Sequence, residues 1–561
     1  MPSLVECVPN FSEGRNRAII DAIAAALAGV SGAKLLDVDP GADTNRTVYT
    51  LVGPPDDVAE AALRGARKAA ELIDMAAHKG AHPRIGALDV CPFVPVSGIT
   101  MDACVSLARE VGRRIGDELG IPVYFYEFAA SSEERRSLAN IRAGEYEGLA
   151  LKLEDPNWKP DAGPAVFNPR SGATVVGARE FLLAYNVNLN TLDRRLANEI
   201  AFNIREGGRA KRDAKGAVLR DAGGNSVKVP GRLKAVRAIG WYIEQYRQAQ
   251  VSINLLDYKT TPLHVVFETA REEAEKIGLV VTGSELVGLT PLEPMLEAGR
   301  HFLRKQGKSA GVPERELVEM AVRSLGLDQL APFDPEKKII EYHFRPAAPL
   351  VSLATSRFVD DVSTESPAPG GGSVAALMGS LAAALSAMVA NLTVGKKGYE
   401  EAWEDLGRLA EDAQRVKDTL LRAVDEDTEA FNRVMDAMRL PKATADQRAE
   451  RGRAIEGASK RAAEVPLQTA RLSLEAMRLA ERAATRGNVN SASDAGVAAL
   501  AARAGVEGAI LNVRINLGSI GDEAFRVSCA AEAETLVAGA RQLCDEVQAR
   551  VVQGFSPVTG G

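Results

Sequence analysis

Residues 405–431, DLGRLAEDAQRVKDTLLRAVDEDTEAF, place leucine, alanine and valine three and four positions apart with charged residues between them. That spacing lays an apolar stripe along one face of an α-helix and leaves the other faces wet. The same composition continues on both sides. From Arg357 onward β-branched runs disappear, and Ala, Leu, Glu and Arg recur at helical spacing. Residues 357–561 therefore read as an all-α domain, most simply a helical bundle in which Ala and Gly let helices approach closely.

Upstream of this domain, RPAAPLVSLATS at 345–356 is rich in Pro and Ala and reads as an interdomain linker. Before it the pattern alternates between short β-branched or aromatic runs, such as KLLDVD, TVYTLVG and LAYNVNL, and amphipathic stretches such as RAIIDAIAAAL. This is an α/β region with mixed sheets and helices. The Gly- and Pro-rich segment 163–172 divides it into subdomains at 1–178 and 179–344, the second running to EYHF at 341–344, with a cleft expected between the two. No internal repeat stands out.

A chain of 561 residues exceeds one hydrophobic core. With 25% charged and 46% apolar residues it has the composition of an ordinary globular protein. A net charge of -7 and a pI near 5.6 argue against general nucleic-acid binding. The five cysteines are scattered without metal-ligand spacing, which fits a reducing cytoplasm and gives no sign of a metal. Glu6 and Glu13 interrupt any signal-peptide pattern, and Ala375 to Val394, the one membrane candidate, reads as a buried helix. The basic, Gly-rich segment 206–234 reads first as a solvated hairpin and second as an electrostatic trap for a polyanion.

One histidine stands out for chemistry. In KGAHPRIGALDVCPFVPV, 79–96, Pro83 holds the backbone of His82 extended in a loop that feeds a strand, a setting suited to proton transfer near neutral pH. His78 reads as solvent-exposed, and His264, His301 and His343 lie in plain helix or strand contexts. Arg46, Arg84 and Lys79 are nearby cations able to grip carboxylates. In the helical half, Asp425 and Asp427 lie beside the stripe Leu420, Val424, Phe431, Met435 and Met438. The glycines of PAPGGGSVAA open a helix whose free N–H groups suit an anion, or serve only close packing.

LVECVPNFSEGRN, LLDVDPGADTNRTVYTLVG and GPAVFNPRSGATVVGARE, arranged around His82 in this order, resemble the formiminotransferase domain of the formimidoyltransferase-cyclodeaminase family. SPAPGGGSVAALMGSLAAALSAMVANLT, AVDEDTEAFNRVMDAMRLPK and GNVNSASDAGVAALAARAGVEGAILNVRINL resemble its cyclodeaminase domain. The resemblance implies a bifunctional folate enzyme of histidine breakdown: it would move the formimino group of N-formimino-L-glutamate to tetrahydrofolate, then cyclise the product with loss of ammonia. It also implies a homo-oligomer built through both domain types, with tetrahydrofolate, possibly polyglutamylated, as co-substrate of both sites. No nucleic acid and no membrane are expected as partners.

By the same resemblance His82 matches the catalytic histidine. Read from the residues alone, Asp39 in the strand-end turn DVDPG either holds the protonated amidine or orients the imidazole, or is simply a good turn residue. The folate-binding loop matches Gly163, Pro164, Ala165, Val166, Phe167, Asn168, Pro169, Arg170, Ser171 and Gly172. Asp425 matches the catalytic acid of cyclisation and ranks ahead of Asp427, whereas on the helical wheel Asp427 flanks the apolar stripe and Asp425 sits nearer its boundary. Lys442 and Arg451 match a basic segment for the folate tail. The rival readings are a one-activity formiminotransferase with a scaffolding helical domain and a non-catalytic folate-binding or assembly protein.

Overall fold

The computed structural model describes residues 3–221, 223–345 and 348–554. The chain separates into two compact units: the first takes the chain up to Pro294 with Leu325–Arg345, the second takes Met295–Ser324 with the chain beyond Arg345. Part of the segment 179–344, expected as one subdomain, therefore groups with the helical unit.

The first unit opens with β1 (Leu4–Cys7), β2 (Asn10–Phe11), α1 (Arg17–Ala28), β3 (Lys34–Gly41), β4 (Arg46–Gly53), α2 (Pro55–Leu72), β5 (Leu88–Ser97), α3 (Met101–Leu119) and β6 (Val123–Glu127). Short helices α4 (Leu138–Arg142) and α5 (Leu149–Glu154) precede β7 (Thr174–Ala178). The strands form one sheet in the order β1-β4-β2-β5-β7-β6, with β3 beside β4. Alternation along the strands gives it two unlike faces. Val5, Cys7, Phe11, Tyr49, Leu51 and Phe93 turn to one side, into a core shared with α1, α2 and α3. Their neighbours Glu6, Asn10, Val48, Val52 and Val94 turn to the other. That second face carries the candidate chemistry.

Caps set the helix ends here. The Asn16 side chain accepts from Ala18 and Ile19 at the start of α1, and α3 stops at Gly120, whose φ of 63° is left-handed.

A second, wholly antiparallel sheet follows, built from β8 (Leu183–Leu189), β11 (Val236–Ile243), β12 (Gln248–Leu255) and β13 (Val281–Val287) in the order β11-β12-β8-β13. The helices α6 (Arg194–Ile204) and α7 (Leu263–Lys276) pack against it. Between them the basic segment pairs β9 (Arg209–Ala210) with β10 (Lys228–Val229). Its tip contains a short repeat, although no internal repeat stands out in composition. Arg212 and Arg220 each donate across a turn, to the carbonyls of Gly216 and Gly224 at 2.7 Å, and Asp213 and Asp221 each accept two backbone N–H groups. The segment EYHF, where the second subdomain was expected to end, lies in a 3₁₀ turn, Ile340–Phe344.

The helices α8 (Leu292–Lys305), α9 (Glu314–Leu325) and α10 (Pro335–Lys338) lead to the second unit's own series. These are α11 (Thr355–Val362), α12 (Gly371–Asn391), α13 (Trp403–Arg439), α14 (Ala445–Arg486), α15 (Ala492–Leu517) and α16 (Glu523–Gln553). Alanine dominates their common core, from Ala375 through Ala470 to Ala509. Small side chains let the axes approach closely. Pro466 sits inside α14 without breaking it: proline has no N–H for the carbonyl of Ala462, and Asn516 Nδ2 on α15 donates to that carbonyl at 2.7 Å instead. The expected linker is partly docked, with Leu350, Val351 and Leu353 packed on Phe358, Ala376 and Val424.

By length and hydropathy α12 and the Val489–Leu517 stretch could each cross a membrane, and 61% and 50% of their most apolar windows are buried within the protein. Apolar residues on the other side are exposed: Met378, Leu381 and Met388 on α12, Leu392 just after it, and Val497, Leu500, Leu511 and Ile515 on α15.

Candidate active sites

Four separate sequence segments meet at the second face of the first sheet. Asn45, at φ 49° in the turn before β4, accepts from Gly14 N at 2.9 Å and donates to the Lys79 carbonyl at 3.1 Å. It thereby ties NFSEG to TNRT and to the loop of His82. Ser12 Oγ donates to the Gly86 carbonyl at 2.7 Å, and Ala173 N to the Ile85 carbonyl at 2.9 Å. Gly86 and Gly172 have no room for a Cβ, which would fall 2.0 Å from the Ala173 oxygen and 2.1 Å from the Ile85 oxygen. The backbones of the 163–172 loop and the His82 loop therefore touch.

His82 Nδ1 lies 2.7 Å from the Pro83 carbonyl, which can only accept and suits a proton on Nδ1, and 3.0 Å from the Arg46 guanidinium, which can only donate and suits the other tautomer. With the proton on Nδ1, Nε2 is the basic nitrogen. Arg46 Nη1 is 3.0 Å from the same Nδ1 and donates to Asp89 Oδ2 at 2.9 Å, while its other donors reach Asn10 Oδ1. Burial and the Arg46 cation together hold the imidazole below its ordinary value of 6.5, so it is neutral at pH 7. Asp89 is wholly buried and is shared by Arg46 and Arg142 at 2.9 and 2.5 Å, with Ile85 N donating to its second oxygen. A pocket of about 430 Å³ beside it is lined by Pro83, Leu138, Arg142 and Glu145.

Asn10, Asp89 and Arg142 were not singled out in the sequence. Asn10 lay in a motif that was quoted, and Asp89 was an acid within an apolar strand. Arg142 had no local signal, because only the chain's return brings it to Asp89.

Three of the expected residues are placed otherwise. Asp39 is not in a turn: β3 continues through Pro40 to Gly41, as an edge strand allows, and Asp39 is exposed opposite Val48 with no contact to His82 among the described residues. Arg84, expected to hold a substrate carboxylate, is buried and already bound to Glu147 at 2.6 and 2.8 Å and to Glu145 at 2.9 Å. His78 is half-buried, with Nε2 2.8 Å from the Asn45 carbonyl and Nδ1 accepting from Arg84. Lys79 is exposed at the rim of a pocket of about 560 Å³ that it shares with Arg84, Glu145 and Glu147.

In the loop Gly163–Gly172, Pro164, Ala165 and Val166 face solvent, and Phe167 stacks obliquely on Tyr146 with ring centres 5.5 Å apart. Asn168 Oδ1 accepts from Arg170 N and Ser171 N, and the Pro169 carbonyl accepts from Tyr146. Arg170 donates to the Glu71 carbonyl, so its guanidinium is partly committed to the end of α2.

The helical unit holds a second acidic site. Asp425 is buried and accepts from the backbone N–H groups of Leu350 and Val351 at 2.9 and 3.4 Å. It anchors the incoming chain. Asp427 lies against the first turn of α12, 3.4 Å from Ser373 Oγ, and a Cβ at Gly372 would fall 2.1 Å from its carboxylate. The glycine run thus seats an acid of this chain at the helix N-terminus. Burial raises Asp427 above the ordinary aspartate range, and hydrogen bonds from Ser373 offset part of that. A raised, sheltered carboxyl is the form able to give and take protons near neutrality.

Met435 and Met438, expected on the buried stripe, are exposed. Arg451 caps α13 by donating to the Met438 carbonyl at 2.9 and 3.1 Å, and Lys442 lies in the exposed turn after it. Met438 is eleven residues beyond Asp427, about 16 Å along the helix. No group of three His, Cys, Asp or Glu able to hold a metal ion occurs among the described residues.

Comparison with known proteins bears on both sites. Models described as "Formiminotransferase domain, N-terminal subdomain", "Formiminotransferase domain" and "Formiminotransferase-cyclodeaminase" match residues 4–179, 184–345 and 354–535. The Mus musculus formimidoyltransferase-cyclodeaminase is 46% identical over 529 residues, covering 94% of each chain. The chain belongs to the formimidoyltransferase-cyclodeaminase family. A glutamate formimidoyltransferase of Thermoplasma acidophilum is 41% identical over 57% of this chain and 99% of its own. A methenyltetrahydrofolate cyclohydrolase of Methylorubrum extorquens is 43% identical over 34% of this chain and 91% of its own. Relatives of part length thus exist alongside family members that, like this chain, carry both parts.

Proposed function

We propose that this member of the family is a bifunctional folate enzyme of histidine breakdown, a transferase in its first part and an ammonia lyase in its last. The transferase moves the formimino group from N-formimino-L-glutamate to N5 of tetrahydrofolate, releasing glutamate. The cyclodeaminase then closes N10 onto the same carbon, releasing ammonia and leaving 5,10-methenyltetrahydrofolate. Identity at 46% across 94% of a relative carrying both activities in its name supports the pair.

The observation that carries the transferase chemistry is the neutral His82, whose proton we assign to Nδ1 on its shorter contact to Pro83, making Nε2 the basic nitrogen. As N5 attacks the amidine carbon, Nε2 takes the N5 proton. When the carbon–nitrogen bond to glutamate breaks, the imidazolium returns that proton to the leaving nitrogen, so one group serves both steps. Arg46, held by Asp89, keeps the imidazole neutral between turnovers. The loop 163–172, tied by backbone to the His82 loop, is the surface for the folate.

For cyclisation we assign the proton relay to Asp427, with Asp425 as its structural neighbour. With the formimino group entering as its amidinium, Asp427 in its protonated form donates to the departing nitrogen as N10 attacks, ammonia leaves, and the carboxylate formed accepts the N10 proton. The working protein is a cytoplasmic homo-oligomer assembled through both parts of the chain, with the exposed apolar rows of α12 and α15 supporting contacts of this kind in the helical part. Tetrahydrofolate and its polyglutamates are the co-substrates.

An assay containing formiminoglutamate and tetrahydrofolate, following methenyl-folate absorbance and ammonia together, tests the reading. Both signals are expected. Transfer without ammonia would leave a one-activity enzyme, and neither signal would overturn the proposal.

A further inference from the structure

On the face of the first sheet that carries His82, the sequence of β1, LVEC, sets one acid among apolar residues, and alternation turns it away from the helices. Glu6 is 5% exposed and Tyr126, on the same face, is 4% exposed. Among the described residues neither the Glu6 carboxylate nor the Tyr126 hydroxyl makes a hydrogen bond. Their side chains are buried but their oxygens are not sealed off, so a polar group left open here faces space in which something else can complete it. Arg179 acts electrostatically on both, without a close ion pair to Glu6.

The position selects the partner. Glu6 lies opposite Val94 and Asn10 opposite Val90 on β5, four residues apart and so about 13 Å. Asn10 is bonded to Arg46, which touches His82. A ligand reaching from His82 toward Glu6 must be extended, with its reacting atom near the imidazole and a donor pair toward the carboxylate. The amidine of formiminoglutamate is too short to do this, since its reacting carbon lies between its own donors. A pterin fits: N5 lies on the pyrazine ring beside the ring fusion, and the 2-amino group and N3–H, a parallel donor pair, lie on the opposite edge of the pyrimidine ring. Two parallel N–H groups against a carboxylate form a charge-assisted bidentate contact.

We propose that Glu6 is the specificity-determining residue for the pterin in the transferase site, its carboxylate accepting from the 2-amino group and N3–H of tetrahydrofolate. This rests on the transferase reading given above. Burial raises Glu6 to about 7, as expected for a carboxylate waiting for donors.

The test is steady-state formimino transfer by the full chain with tetrahydrofolate and with its 2-desamino analogue. For the unaltered protein the analogue should raise KM by about ten- to a hundredfold, the effect of a hydrogen bond to a charged group. Glu6→Gln should raise KM for tetrahydrofolate by a similar factor, leave KM for formiminoglutamate unmoved, and no longer distinguish the analogue. Glu6→Asp, which keeps the acceptor pair, should keep the discrimination. Equal KM values for the two folates in the unaltered protein would overturn the proposal even if Glu6→Gln fails to fold. Discrimination that persists in Glu6→Gln would overturn it as well. Absence of any transfer by the unaltered chain would instead overturn the transferase reading on which it rests.

Discussion

Arg46 Nη1 stands 3.0 Å from Nδ1 of His82, a permanent cation beside a titratable ring. The pair is held by Asp89, which is buried and whose carboxylate binds Arg46 and Arg142 together. The guanidinium acts by making a second proton on the ring unfavourable.

The transfer rate should therefore rise with pH through a value below 6.5 and be level at neutrality, because the unprotonated ring is the working form. Removing the cation with Arg46→Gln should move that rise to higher pH. His82→Ala should lower transfer by about a hundredfold or more, while cyclisation of supplied 5-formiminotetrahydrofolate continues. A pH–rate profile of the three proteins checks both statements.

In the helical unit the two aspartates should separate by experiment. Asp427→Asn should reduce ammonia release by about a hundredfold or more with the melting temperature little changed. Asp425→Asn weakens an acceptor of two backbone N–H groups, and should cost about 1–3 kcal/mol of stability. Ammonia release and thermal melts on both variants decide the order; a stable but inactive Asp425→Asn would reverse it.

Arg84 should behave as a structural residue. Its guanidinium ends in Glu145 and Glu147, and Arg84→Met should lower stability by roughly 1–3 kcal/mol. A KM for formiminoglutamate raised at unchanged stability, in kinetics run beside a denaturant titration, would contradict this.

The exposed row on α15 should mediate self-association. Leu511 and Ile515 are 64% and 76% exposed, and Leu511→Asp with Ile515→Asp should lower the mass seen by sedimentation. An unchanged mass would exclude this face from the interface.

Glu6 makes a stability prediction opposite to that of an ordinary carboxylate. Burial raises it from 4.5 to about 7, so the unfolded chain releases its proton first as pH rises. The stability it contributes is fully present below pH 4.5 and is lost as pH rises through about 7. Glu6→Gln, which does not ionise, should be more stable than the unaltered protein at pH 8, by up to about 3 kcal/mol, and equal to it near pH 4. Denaturant titrations at the two pH values check this.

Periodicity was enough to read several levels correctly. The stripe at 405–431 announced α13, the β-branched runs announced β3, β4 and β8, and Pro83 marked the loop of His82. Where it went astray, the reason was long-range. Arg46, Arg84 and Arg170 look alike in sequence as cations near a motif, yet one faces the imidazole, one is spent on two glutamates, and one is drawn to the end of α2. Asp425 and Asp427 are two residues apart on one helix, and only the segment docked at Leu350 and the turn at Gly372 give them different work.

The sequence by itself determined the helical and α/β halves, the family, and the histidine suited to proton transfer, because helical spacing, strand alternation and a fixed proline are local properties of a chain. Tertiary structure alone decided which charges are spent and which remain open. A carboxylate's partners come from chain segments brought together by folding, as Arg142 is to Asp89 across 53 positions. Glu6 is the converse case: the alternation of β1 pointed it to the active face, and folding buried it there without a partner.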